Sequence, residues 1–156
     1  MKTLIVFFTI CLISLTISAS GKKIGKILTA DEANDLFGSV TESVSIDRET
    51  LVSYLEECDK YMMCAIKDGQ LIITDDNRKV LTPFKLEIAS LKSSVPNNYI
   101  ISDDEVLNVY SKSVVEELLK KANESELGFD MRGDVMTVSY GDYVMEFTSP
   151  CPPWCS

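Results

Sequence analysis

The sequence predicts an α+β fold in which amphipathic helices cover one face of an antiparallel sheet. Three observations lead to this prediction. Two capping-box sequences mark helix starts, Asp68-Gly69 separates two apolar runs as in a tight hairpin, and further short apolar runs follow. These signals recur in a similar order, which predicts two tandem helix-helix-β-hairpin-strand repeats at residues 27–89 and 99–149. The alternative is two unrelated stretches that share a helix-then-hairpin order.

The N-terminus has the three parts of a secretory signal peptide. Lys2 supplies a positive charge, Leu4 to Ile17 is almost wholly apolar, and Ser18-Ala19-Ser20 offers small residues for cleavage. We therefore expect residues 1–20 to be removed and residues 21–156 to form a single mature domain that is secreted or periplasmic. An uncleaved membrane anchor is the alternative. The apolar run is short for a bilayer span of about 20 residues, so we expect no integral membrane segment in the mature chain.

The charge of the chain restricts its partners. The full sequence has a net charge of −9, and loss of Lys2 with the signal peptide makes it −10, with 14 Lys and Arg against 24 Asp and Glu. An acidic chain without a basic cluster is not suited to nucleic acid, because phosphates are bound by Lys and Arg. Anionic membrane surfaces are disfavoured for the same reason. A basic protein partner is compatible with this charge.

Local signals predict the elements of the first half. Thr29 and Glu32 form a capping box ahead of a helix from Ala30 to Phe37. Residues 39–46 are rich in Ser and Thr and are predicted to be a loop. Asp47 is the expected N-cap of a second helix, from Arg48 to about Tyr61.

Strands follow these two helices. The predicted strands are Met62 to Lys67, Gln70 to Thr74, Lys79 to Thr82 and a fourth after Pro83, at residues 84–88. Residues 90–98 contain Ser, Pro and Asn-Asn, which is typical of a linker between the halves.

The second half predicts the same order. Ser102 and Glu105 form the second capping box, ahead of a helix from Asp103 to Tyr110. Apolar spacing predicts another helix over Val114 to Ala122. The predicted hairpin pairs Leu127 to Met131 with Val135 to Tyr140, and Tyr143 to Thr148 is the last strand.

Four cysteines remain after cleavage, and in an exported chain they predict disulfides: Cys58, Cys64, Cys151 and Cys155. The last two lie in a tail at residues 150–156. Pro152 and Pro153 favour an extended path there, so a local Cys151–Cys155 bond needs a sharp turn. We favour a tail that is linked back to Cys58 and Cys64, and the alternative is two local loops.

Other residues offer weaker signals. The sequence has no His, which excludes Ser-His-Asp and Cys-His sites, and we predict no catalytic residue, metal ligand or cofactor. The sulfur-rich stretch from Cys58 through Met62 and Met63 to Cys64 suits Cu(I), although packing of a methionine in the core explains it better. Trp154, stiffened by Pro152 and Pro153, is either an exposed interaction residue or a ring that folds onto the sheet.

These observations favour an exported, non-catalytic binding protein whose ligand is an unknown protein or small molecule. An inhibitor or immunity-type protein that blocks a basic exported enzyme, such as a lysozyme, is one such protein, because acidity would speed the encounter. The first alternative is a small secreted hydrolase that uses two carboxylates with opposed pKa values. The second is a periplasmic protein that handles thiols or Cu(I).

Overall fold

The computed structural model describes residues 23–83, 85–88, 91–94, 100–103, 105–146 and 150–151. These residues form an α+β fold with more strand than helix. The elements in chain order are β1 (Lys26–Thr29), α1 (Ala30–Phe37), β2 (Glu42–Asp47), α2 (Arg48–Glu57), β3 (Tyr61–Lys67), β4 (Gln70–Thr74), β5 (Lys85–Ile88), β6 (Leu91–Ser94), β7 (Leu107–Ser111), α3 (Lys112–Leu118), β8 (Glu126–Arg132), β9 (Val135–Tyr140), β10 (Tyr143–Glu146) and β11 (Pro150–Cys151). The predicted signal peptide, residues 1–20, lies outside the described residues.

The strands form two antiparallel sheets and a separate pair. Sheet A has the strand order β1-β10-β9-β8-β2, and sheet B has the order β11-β7-β3-β4. The pair consists of β5 and β6. Both sheets combine strands that are distant in sequence, because β2 pairs with β8 and β7 pairs with β3.

The largest hydrophobic core joins both sheets to α2 and α3. Its buried members include Leu51 and Leu55 of α2, Val114 and Leu118 of α3, Tyr110 of β7 and Phe129 of β8. Tyr110 also donates its buried hydroxyl to the carbonyl of Met136 on β9, at 3.1 Å. The two sheets are therefore in direct contact. A smaller cluster packs Ala33 of α1 against Leu28 and Val144 of sheet A.

Several local predictions are confirmed. Thr29 and Glu32 form the expected capping box at the start of α1, and Asp47 accepts from the Thr50 amide at the start of α2. The β3–β4 turn uses Asp68 and Gly69, both at positive φ (52° and 69°), as a tight hairpin turn requires. The helix predicted over Val114 to Ala122 forms as α3, although its bounds are Lys112–Leu118, and the β8–β9 hairpin forms where the sequence predicts it.

The helix predicted from Asp103 to Tyr110 is wrong. Residues 107–111 form β7, which lies between β3 and β11. Leu107 and Val109 pack into one hydrophobic cluster, whereas Tyr110 packs into the largest core. A strand buried on both faces has no clear two-residue alternation, so its apolar residues resemble a helical pattern.

Two segments predicted to lack regular structure contain strands. The predicted loop at residues 39–46 contains most of β2, and the predicted linker at residues 90–98 contains β6. In β2 the half-buried Val44 and Ile46 alternate with exposed serines, so pairing with β8 is stronger than the turn preference of Ser and Thr. The strand predicted at Lys79 to Thr82 is reduced to isolated bridges at Lys79 and Val80.

β2 and β7 occupy matching places in their ladders. Val44 lies opposite Phe129 in the β2–β8 ladder, and Asn108 lies opposite Cys64 in the β7–β3 ladder. Adding 64 to a residue number in β2 gives the equivalent residue of β7, and adding 65 to a residue number in β3 gives the equivalent residue of β8. With these offsets all four residue pairs of the β7–β3 ladder fall on pairs of the β2–β8 ladder. The offset of 65 also superposes all five pairs of the β3–β4 hairpin on those of the β8–β9 hairpin.

The described helices are short. None of them has the length and apolar character needed to cross a lipid bilayer.

Candidate functional site

Two of the four predicted disulfide cysteines are buried thiols. Cys58 and Cys64 are not bonded to one another. Burial, together with the nearby carboxylates of Asp76 and Asp75, raises the pKa of Cys58 to about 12. Burial alone raises the pKa of Cys64 even further. Both thiols are therefore protonated at neutral pH, whereas metal binding and nucleophilic attack need the thiolate.

The sheet order restricts the third cysteine. Cys151 lies on β11, and β7 separates that strand from Cys64 on β3. Two strand spacings amount to about 9.5 Å, whereas bonded cysteines have Cα atoms about 4.4–6.8 Å apart. A Cys64–Cys151 bond is therefore incompatible with this sheet. Cys155 lies outside the described residues, and the disulfide prediction remains a prediction.

The other predicted residues are not brought together. Met62 and Met63 follow one another on β3 and pack into different hydrophobic clusters, so their sulfur atoms are not directed to one point. Within the described ranges, no group of three or more His, Cys, Asp and Glu residues could hold a metal ion. Pro152, Pro153 and Trp154 lie outside those ranges.

A cleft of about 330 Å³ lies beside β1, β10 and α3. Its charged lining consists of Lys23, Lys26, Glu32, Glu117 and Lys121. Hydrogen bonds from the Thr29 backbone and hydroxyl lower the pKa of Glu32, and the hydrogen bond and charge of Lys23 lower the pKa of Glu117. A carboxylate pair for hydrolysis needs one raised pKa. These two glutamates are both held in the charged form, so the cleft is not suited to that chemistry.

The outer side of β2 is an open edge in the described structure. β2 is the terminal strand of sheet A, and among described residues only β8 pairs with it. Its side chains alternate, with Val44 and Ile46 half-buried and Ser43, Ser45 and Asp47 exposed. An unpaired edge presents backbone donors and acceptors that another extended chain can use.

Exposed carboxylates surround this edge. We call Glu42, Asp47, Glu49 and Glu126 the acidic edge: the first two end β2, Glu49 is in the first turn of α2, and Glu126 lies opposite Asp47 on β8. All four are exposed. The ion pairs found between described residues all use other carboxylates. The nearest basic residue in sequence is Arg48, which is half-buried.

Polar groups continue beside β2 on the face of sheet A that carries Ser43, Gly128 and Asp130. Asp130 on β8 is only 4% exposed and accepts a hydrogen bond from the Ser43 hydroxyl at 2.5 Å. A Cβ at Gly128 would lie 2.6 Å from the Ser139 hydroxyl and 2.9 Å from the Asp130 carboxylate. A side chain at position 128 would therefore displace at least one of these two oxygen atoms.

Comparison of the chain with protein-family models, with curated proteins and with solved structures found no match.

Sequence reasoning did not find the open edge of β2. Whether a strand lies at an edge depends on which strands pair with it, and the residues of β8 that pair with β2 lie 79 to 89 positions further along the chain. One signal was present: Ser43, Val44, Ser45 and Ile46 alternate between polar and apolar, as a half-buried strand does.

Proposed function

We propose that the chain is an exported, non-catalytic protein that acts by binding a basic protein partner. The observation that carries this proposal is the acidic edge, four exposed carboxylates with no ion pair to another described residue. Glu126 lies directly opposite Asp47. Like charges in such a cross-strand pair repel one another, and a cation placed between them relieves that repulsion.

An inhibitor or immunity-type protein fits this arrangement. A basic exported enzyme, such as a lysozyme, would be steered toward the acidic edge, and complementary charge speeds such an encounter. Export places the chain where such an enzyme acts and where disulfides persist. The buried, protonated thiols of Cys58 and Cys64 support a structural use of sulfur over catalysis.

Charge-matched variants test this function. Glu126→Gln removes one carboxylate of the acidic edge, and Asp68→Asn removes one from the exposed β3–β4 turn of the other sheet. In capture experiments from the secretome or periplasm at low salt, the native protein should retain a basic protein, which is released as salt rises. Glu126→Gln should retain less of it than Asp68→Asn. Equal retention by the two variants, or capture of no basic protein, would contradict the proposal.

We further propose that the architecture arose by duplication, and that the first strand of each half pairs with the other half. The matching registers of the two three-strand ladders support this proposal, because unrelated hairpins have no reason to share them. In this arrangement the repeated unit begins at β2 and at β7, and β1 and α1 precede the first unit. The helices α2 and α3 then follow equivalent strands and contribute buried residues to one core.

A further inference from the structure

We propose that the open edge of β2 binds an extended segment of the partner as an additional antiparallel strand, and that basic and apolar residues alternate in this segment. This inference rests on the proposed function, because it specifies how a basic partner would be held. Strand addition to an exposed sheet edge is a general mode of peptide recognition, in which backbone hydrogen bonds supply affinity and alternate side chains supply specificity.

The backbone of β2 has the required orientation. The Arg48 amide donates to the Ser125 carbonyl at 2.8 Å, so it points toward β8. Backbone groups alternate in direction along a strand, so the N–H and C=O groups of Val44 and Ile46 also point toward β8. The N–H and C=O groups of Ser43 and Ser45 point the other way, toward the open side.

The matching edge of β7 shows what this position can hold. The Ser111 amide donates to the Ile24 carbonyl at 2.8 Å, and Cys151 of β11 pairs with Leu107. The outer side of β7 is thus occupied by segments from both ends of the chain. Ser111 and Leu107 correspond to Asp47 and Ser43 of β2 at the offset of 64, and no described residue fills the equivalent positions there.

Charge and side-chain alternation select the occupant. In an antiparallel pairing with β2 of a second copy, the residues that point to the open side, Ser43, Ser45 and Asp47, would face one another. The acidic edges of two chains, each with a net charge of −9, would then lie side by side and repel one another. A segment with Lys or Arg on the face of Asp47 and Glu126 avoids this repulsion. Its intervening residues lie on the face of the half-buried Val44 and Ile46, where apolar side chains extend the core.

A variant in the centre of β2 tests this mode of binding. Ser45→Pro removes a donor that points to the open side and leaves the bonds to β8 in place, and proline is tolerated on edge strands. Ser45→Ala is the matched control, because it shortens the same side chain and keeps the backbone donor. The probes are synthetic eight-residue peptides of four Lys and four Val, one strictly alternating and one with the two residue types in separate blocks.

Calorimetry on the mature chain should show that the alternating peptide binds more tightly than the block peptide. Ser45→Pro should lower the affinity for the alternating peptide by about tenfold or more, and Ser45→Ala should change that affinity little. Amide exchange gives a second readout that needs no variant, since the alternating peptide should slow exchange at Ser43 and Ser45. Urea unfolding of Ser45→Pro checks that the fold is retained.

Equal binding of the two peptides, without protection of Ser43 and Ser45, would overturn strand addition and leave the proposed binding of basic partners intact. Binding of neither peptide, together with no basic protein in the capture experiment, would reject both proposals. A dimer of the native chain that Ser45→Pro dissociates in sedimentation would show that a second copy is the occupant, which would also overturn the inference.

Discussion

Replacement of Gly128 by alanine should destabilise the protein. In a strand this change normally stabilises by about 0.4–1 kcal/mol, because alanine has fewer conformations to lose from the unfolded chain. Here the new Cβ would lie 2.6 Å from the Ser139 hydroxyl and 2.9 Å from the buried Asp130 carboxylate. Overpacking of this kind costs about 1–3 kcal/mol. The net effect should be a loss of about 1–2 kcal/mol, which lowers the urea midpoint by roughly 0.5–1 M.

A second background separates the steric effect from other effects of the substitution. Ser139→Ala removes the nearer of the two oxygen atoms, so Gly128→Ala should cost clearly less in that background, although the contact with Asp130 remains. Urea unfolding followed by circular dichroism measures all four proteins of the cycle. A Gly128→Ala protein as stable as the native one, or an equal cost in both backgrounds, would refute the proposed convergence of oxygens.

Four other variants and treatments test different parts of the structure. Thr29→Ala removes the N-cap of α1 and should lower the free energy of unfolding by about 1 kcal/mol in urea titration. Hydrogen bonds lower the pKa of Glu32 below its ordinary value, so its contribution to stability is present above pH 4.5 and is lost as the pH falls. Glu32→Gln should therefore reduce the pH dependence of the urea midpoint between about pH 5 and 3, and an unchanged profile would contradict this role. Burial and raised pKa values predict that reduced Cys58 and Cys64 resist iodoacetamide in the native protein at pH 8 and react after denaturation, as mass spectrometry would show. Arg132→Met removes the hydrogen bonds that the buried Arg132 guanidinium donates to Asn34 and to the Gly38 carbonyl, and should cost about 1–3 kcal/mol in thermal or urea unfolding.

The sequence predicts well those elements that depend on neighbouring residues. The capping box at Thr29, the cap at Asp47 and the turn at Asp68-Gly69 each involve groups within a few positions of one another, and all three are confirmed. The capping box at Ser102 has the same pattern, but no helix begins there. Pairing of β7 with β3, more than 40 positions earlier, is stronger than the local helix signal.

The candidate site could be predicted only in part for the same reason. The net charge is compatible with a basic partner, whereas the place where carboxylates and an unpaired backbone coincide depends on pairing between distant strands. The number of cysteines and the expected export predict disulfides at Cys58 and Cys64. Only the fold reveals that β7 separates Cys64 from Cys151.

The placement of β2 beside β8, and of β7 beside β3, makes the two halves dependent on each other for folding. A fragment that ends before residue 100 lacks the strand that completes its own sheet and presents β3 as a bare, aggregation-prone edge. A chain cut once near residue 95 should nevertheless remain assembled and unfold in a single transition, because each fragment contributes strands to a sheet of the other. Partial unfolding of one half is thereby suppressed, which would limit the access of proteases to the chain.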